Sequence, residues 1–427
     1  MSGTPPTGLA RRLGLGDAVV IGLGSMLGAG VFSAFGPAAA VAGTGLLLGL
    51  VIAAVVAYCN AAASAQLAAT YPTSGGTYVY GRERLGPWWG FVAGWGFVVG
   101  KTASCAAMAL TFASYAVPGP WWLQRGVAVV GVLALAALNY RGITRTAQLT
   151  RILVTCTFVT LAVVVVATLL GAGGTDRLGG WDSLVGSGWY AILQAAGLLF
   201  FAFAGYARVA TLGEEVRDPE RTIPRAIPLA LGITVAVYLV VAVSVLLAAG
   251  PERLADAAAP LQAAVGSAGA DAVAPVVRIG GTLASLGALL ALIAGIGRTG
   301  LAMARNRDLP GWLAAVHPRY QVPHHAELAL AVVVSALVLT TDLRGVIGFS
   351  SFGVLVYYAV ANVSAFTQPA ARRRWPRALN VLGALGCLTL VGTLPPASVI
   401  AGLVMFAVGV LGRAVVLWRR GDTSARS

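Results

Sequence analysis

The stretch GLGSMLGAGVF at residues 22–32 decides how this chain is read. It lies in an apolar run that starts near residue 15 and is long enough to cross a bilayer. Yet Gly22, Gly24, Gly28 and Gly30 all fall within it, and each costs a helix about 1 kcal/mol relative to alanine. A helix unwound here leaves backbone N–H and C=O groups without partners. At membrane depth such backbone is tolerated only where it is buried in protein or lines a cavity. The freed N–H groups, with the positive end of the half-helix that follows, suit a carboxylate. The freed carbonyls suit an ammonium, and an amino acid carries both. The competing reading is an intact helix with a close-packed glycine face.

The rest of the chain fits a membrane setting. Of 427 residues, 58% are hydrophobic and 10% charged, against about 25% charged in a typical soluble domain. Apolar stretches of 18 or more residues recur along the whole length, and runs such as 46–57 and 161–170 do not alternate as barrel strands do. The expected fold is therefore all-α and integral to the membrane. Twelve transmembrane helices fit, at about 15–36, 45–69, 87–116, 122–139, 147–170, 189–212, 225–249, 273–303, 325–341, 346–367, 378–394 and 397–418. With the N-terminus inside, inner loops and tails hold roughly 20 basic residues against four outside, which sets both termini in the cytoplasm. Arg11 and Arg12 precede a retained first span rather than a cleaved signal.

Several function classes drop out. The net charge of +14 is spread over short loops, so it is no nucleic-acid footprint. Cys59, Cys105, Cys156 and Cys387 are scattered singly, with neither metal-ligand spacing nor a disulfide pattern. An intramembrane enzyme would need a nucleophile, a carboxylate pair or an H-E-x-x-H motif, and the sequence carries none. No phosphate-binding loop or other cofactor motif is present, which argues against an ATP-driven pump.

A transporter built from inverted repeats places a second interrupted helix at the matching point of its other half. Five spans after the first comes FFAFAGYARVATLGEEVRDPERTIPRAI, residues 200–227, with Gly205 in mid-span beside Phe201, Phe203 and Tyr206. Aromatic rings beside a break can cap a bound solute, although an ordinary packing stripe gives the same pattern.

These two segments resemble those of the amino acid–polyamine–organocation permeases. YPTSGGTYVYGRERLGPWWGFVAGW (71–95) and RTGLAMARNRDLPGWLAAVHPRYQVPHHAEL (298–328) resemble the same family, so the likeness covers nearly the whole chain. It implies a five-plus-five, LeuT-like inverted repeat with discontinuous helices 1 and 6. Residues 1–14 would be a cytoplasmic tail, 15–170 the first repeat, 189–367 the second, 378–418 two further helices, and 419–427 a second cytoplasmic tail. It implies alternating access around a midplane site. Gly28, Ala29 and Gly30 would present main-chain groups to the substrate carboxylate. Carbonyls near Met26, Phe201 and Ala204, beside Gly205, would hold its amino group, and Phe201 would gate the site. Where arginine-type members carry an acid two positions after the sixth-helix glycine, this chain has Ala207. A cationic side chain would lack that partner.

Lys101 is the sole lysine and lies within the third span. It sits roughly 22 Å from the inner end, too deep for snorkelling. No Asp or Glu shares its depth, so it either titrates and couples transport to protons or serves as a fixed charge in place of a bound sodium ion. A structural lysine tied to carbonyls is the plain alternative. Arg208 and Arg298 read as anchors at the inner interface. Glu214 and Glu215 read as a solvated cluster or a charged inner gate, and His317, His324 and His325 as surface residues. The expected function is a plasma-membrane permease that moves neutral amino acids by proton symport or exchange, needing no cofactor or metal. The alternatives are a polyamine or cationic amino acid antiporter, and a solute sensor that does not transport.

Overall fold

The computed structural model describes residues 13–73, 75–141, 147–171, 181–213, 215–320 and 322–424. Glu214, residues 1–12 of the N-terminal tail and residues 425–427 of the C-terminal tail lie outside the described residues. Among the described residues the secondary structure is helical, apart from one isolated parallel bridge between Leu13 and Val216.

The glycine cluster interrupts the first span as its composition dictates. Helix α1 (Leu15–Met26) ends where Leu27 leaves helical geometry (φ −76°, ψ 34°). Gly28 is extended (φ −91°, ψ −140°), and α2 (Ala29–Ser33) then starts, followed by α3 (Phe35–Ala42). The chain continues through α4 (Leu46–Thr70), α5 (Thr77–Leu85), α6 (Pro87–Ala116), α7 (Trp121–Tyr140), α8 (Ala147–Leu170) and the short α9 (Trp181–Val185).

The sixth span is interrupted differently. Helix α10 (Gly188–Phe203) tightens into a 3-10 turn at Ala204–Tyr206 and resumes as the single turn α11 (Ala207–Ala210). The helix here is tightened and shortened rather than unwound. Then come α12 (Pro219–Asp256), broken at Gly250 by a positive φ of 74°, and α13 (Pro260–Ser267). The last elements are α14 (Ala274–Arg305), α15 (His324–Thr340), α16 (Leu343–Phe366), α17 (Arg377–Thr393) and α18 (Pro396–Ser424).

Among the described residues ten stretches are long and apolar enough to cross a membrane, and they coincide with ten of the twelve expected spans. The ninth and eleventh correspond to α15 and α17, apolar helices of 17 residues each. At 1.5 Å per residue each rises about 26 Å, a few ångströms short of a hydrocarbon core of about 30 Å.

Burial separates centre from rim. In the stretches Pro87–Ala116, Gly188–Ala210 and Leu343–Phe366, 78% of the most apolar window is buried, against 11% for Trp121–Tyr140. So α6, α10 with α11, and α16 form the middle, and α7 faces outward. Exposed tryptophans gather at both ends of the helices. Trp88, Trp89, Trp312 and Trp418 sit at one end, and Trp121, Trp122 and Trp189 at the other, the pattern of two interfacial belts.

Candidate functional site

The two interruptions meet. A Cβ on Gly205 would run into the Ser25 carbonyl and lie 2.7 Å from Met26 N, so only glycine lets the turn of helix 6 rest on the end of α1. On the far side of the break, a Cβ on Gly30 would lie 2.6 Å from Ala202 Cα, and one on Gly28 would lie 2.5 Å from Ala288 Cβ. The glycines of residues 22–32 thus act in two ways: they permit the break, and they let three helices close around it.

A buried tyrosine on α12 ties the two ends together. Tyr238 Oη lies 2.5 Å from Met26 O and 3.1 Å from Ala202 O. Its single proton therefore serves a carbonyl at the end of α1 or one near the end of α10, in both cases among the groups a helix end leaves unpaired.

Beside this junction lies a cavity with about 780 Å³ of empty space, its open mouth included. Of the expected site residues, Phe201, Ala204 and Gly205 line it, as does Lys101. Met26, Gly28, Ala29 and Gly30 are absent from the lining: the wall stops at Ala288, which packs on Gly28. Lys101 is 6% exposed, and its Nζ donates to the carbonyl of Ala204 at 3.2 Å. Tyr358 Oη lies 3.4 Å from the same oxygen. The buried lysine is thus held by a carbonyl released where helix 6 tightens.

Arg208 and Arg298 also line the cavity, which corrects their reading as interface anchors. On α14 the lining positions Ala288, Ala291, Gly295 and Arg298 recur at helical spacing, so Arg298 continues an inward stripe. That spacing is visible in the sequence, but nothing there tells an inward stripe from a lipid-facing one. A second cavity adjoins the first through Ser25, Arg208, Ala291 and Arg298 and extends to Leu13 and Glu215 at the N-terminal end of α1. Glu215 Oε1 pairs with Arg298 Nη1 at 3.4 Å. Among the described residues the lining of the inner cavity carries Lys101, Arg208 and Arg298, the last paired with Glu215, and no acidic group. Lys101 and Arg208, which have no acid beside them in that lining, oppose added cations.

The amino acid permease family model matches residues 13–417. An uncharacterized transporter of Mycobacterium tuberculosis is 61% identical over 98% of this chain and 96% of its own length. A branched-chain amino acid permease of Bacillus subtilis is 26% identical, over 94% of this chain and 92% of its own. Cationic amino acid transporter 7 of Arabidopsis thaliana is 29% identical, over 84% of this chain and 66% of its own. A match running from the residues before α1 into α18, over ten apolar membrane helices, makes this a multi-pass membrane transporter rather than an enzyme. The chain belongs to the amino acid permease family.

Proposed function

We propose that this permease carries amino acids with uncharged side chains across the plasma membrane by alternating access. The observation that carries this reading is the cavity at the junction of the two interrupted helices, lined by Lys101, Arg208 and the Glu215-paired Arg298, with no acid in the lining among the described residues. An arginine or polyamine would bring further positive charge against Lys101, Arg208 and Arg298. Two unit charges 4 Å apart repel by about 4 kcal/mol at an effective dielectric of 20. Ala207, on the cavity wall, offers no counter-charge. The relative named as a cationic amino acid transporter points the other way, so the substrate panel must include arginine.

In this reading the N–H groups of Ala29 and Gly30, at the start of α2 and walled off from the cavity in this conformation, take the substrate carboxylate in another state of the transport cycle, with Gly28 and Met26 shaping the turn. The Ala204 carbonyl takes the amino group under Phe201 and beside Gly205. Lys101 already holds that carbonyl at 3.2 Å. A charged lysine and a substrate ammonium exclude one another from a single carbonyl where no carboxylate is at hand. Proton loss from Lys101 to water in the cavity as substrate arrives links solute movement to protons. The reading retains twelve spans, α15 and α17 included, in two five-helix repeats over 15–170 and 189–367, with helices over 378–418 added and both termini cytoplasmic. The second cavity then opens toward the cytoplasm.

The test is uptake into proteoliposomes with a panel of neutral amino acids, arginine and putrescine, with and without a pH gradient. Saturable uptake of one or more neutral amino acids supports the reading. Uptake of arginine or putrescine alone overturns the substrate class.

A further inference from the structure

A second built feature lies away from this site. The start of α6, the end of α14 and the last turns of α18 border a groove with about 1660 Å³ of empty space, its open side included. At its base is Asp308, whose side chain is 5% exposed. Asp308 accepts from Tyr78 Oη at 2.8 Å and from Arg82 Nη1 at 3.3 Å, and it pairs with Arg413 Nη2 at 3.1 Å. The Arg413 guanidinium lies 4.9 Å from the Trp88 ring centre and 4.7 Å from that of Phe91. Its Nε and Nη1 are buried and make no hydrogen bond. One carboxylate thus serves two guanidinium groups, and Arg307 at the edge of the groove adds a third positive charge. The pairing leaves two positive charges in excess.

Apart from Asn306, the remainder of the groove is apolar. Trp95, Val408, Val416 and Leu417 form its walls. Gly412 leaves a gap, since a Cβ there would have nothing within 4 Å. The exposed rings of Trp88, Trp89 and Trp418 set this end of the molecule at a membrane interface. Uncompensated arginine charge at headgroup level, opening onto a greasy furrow along membrane-facing α18, is complementary to an amphiphile with an anionic head. A free anion has no use for the furrow, and a zwitterionic lipid leaves the arginines uncompensated.

We propose that this groove is a binding site for an anionic phospholipid, its phosphate against Arg82 and Arg307 and one acyl chain along α18 over Gly412. The lipid joins α18 to α6 and α14. Arg413 is a positioning residue that fixes Asp308 and the ring pair beneath the headgroup.

The purified full chain is titrated in detergent with spin-labelled phosphatidylglycerol, with spin-labelled phosphatidylcholine, and with inorganic phosphate. The proposal expects phosphatidylglycerol to bind about tenfold more tightly than phosphatidylcholine, the scale of one hydrogen bond to a charged group. Arg82→Gln reduces that preference about tenfold. Gly412→Leu fills the furrow and weakens binding of both lipids, while its melting temperature in lipid-free detergent stays at the wild-type value. Equal binding of the two lipids, or wild-type binding by Gly412→Leu, overturns the proposal. So does full displacement of phosphatidylglycerol by millimolar phosphate, which would mark a free-anion site. If Arg82→Gln melts early, the Gly412→Leu titration still decides.

Discussion

Replacing Gly205 by alanine tests the junction of the two interrupted helices. The added Cβ meets the Ser25 carbonyl and stands 2.7 Å from Met26 N, whereas ordinary contact begins at 3.4 Å. The end of α1 must therefore retreat by about 1.2 Å, set by the still closer Ser25 oxygen, the kind of overpacking that costs about 1–3 kcal/mol. Retreat is resisted, because Tyr238 clamps Met26 O at 2.5 Å and Gly28 is already packed against Ala288. Gly300→Ala is the matched control. Gly300 lies inside α14 with nothing within 4 Å of its would-be Cβ, so alanine there gains up to about 1 kcal/mol of helix propensity. Thermal unfolding in detergent reads both. Gly205→Ala should melt below the wild type and lose uptake, while Gly300→Ala melts at or above it. Equal shifts for the two variants, or wild-type uptake by Gly205→Ala, would mean that the close approach at the junction does not matter.

Four further outcomes are expected. Lys101→Gln keeps a donor for the Ala204 carbonyl but removes the charge, so uptake should lose its response to a pH gradient; an unchanged response removes the proton role. Ala207→Glu places an acid on the cavity wall, and arginine should then compete for uptake where it did not before, as a competition assay would show. Asp308→Ala strands the buried Arg413 and should cost about 3–5 kcal/mol in thermal or denaturant unfolding. Tyr78, on the loop helix α5, has its hydroxyl pushed up to about 12, first by burial and then by the bond to Asp308. A raised value means that its stabilising share is complete below pH about 10 and is lost as pH rises toward about 12. Tyr78→Phe should flatten the stability profile over that alkaline window alone.

Much of the architecture was legible in the sequence because lipid constrains it so strongly. Long apolar runs located ten membrane stretches, and the glycines of residues 22–32 located the break at Leu27–Gly28. The resemblance to the amino acid–polyamine–organocation permeases holds, with the family model spanning residues 13–417. Gly205 was also found, but for an incomplete reason. It reads as a helix breaker, whereas the structure uses its bare Cα to seat a 3-10 turn against Ser25. What was not legible depends on which side of a helix faces inward. Arg208 and Arg298 sit near span ends, and in sequence they are indistinguishable from interface anchors. Tyr238, in a long apolar run, carries no local sign that its hydroxyl lies between two helix-end carbonyls and donates to one of them. Lys101 was noticed for its depth, but its partner Ala204 lies 103 positions away.

The geometry also changes which substitution makes a fair control. A bulky residue at Gly30 would strike Ala202 before it disturbed any substrate, so a loss of uptake there would not separate misfolding from a blocked site. Gly295 is the better position. It lines the cavity, and a Cβ on it would have nothing within 4 Å.

The deciding measurement is therefore uptake of neutral amino acids into proteoliposomes by the wild type and by Gly295→Leu, with the melting temperature of each protein recorded alongside. Occupation of the cavity between the two interrupted helices predicts saturable neutral amino acid uptake in the wild type and its loss in Gly295→Leu, with both proteins melting together. Undiminished uptake by a normally folded Gly295→Leu would show that the solute passes elsewhere.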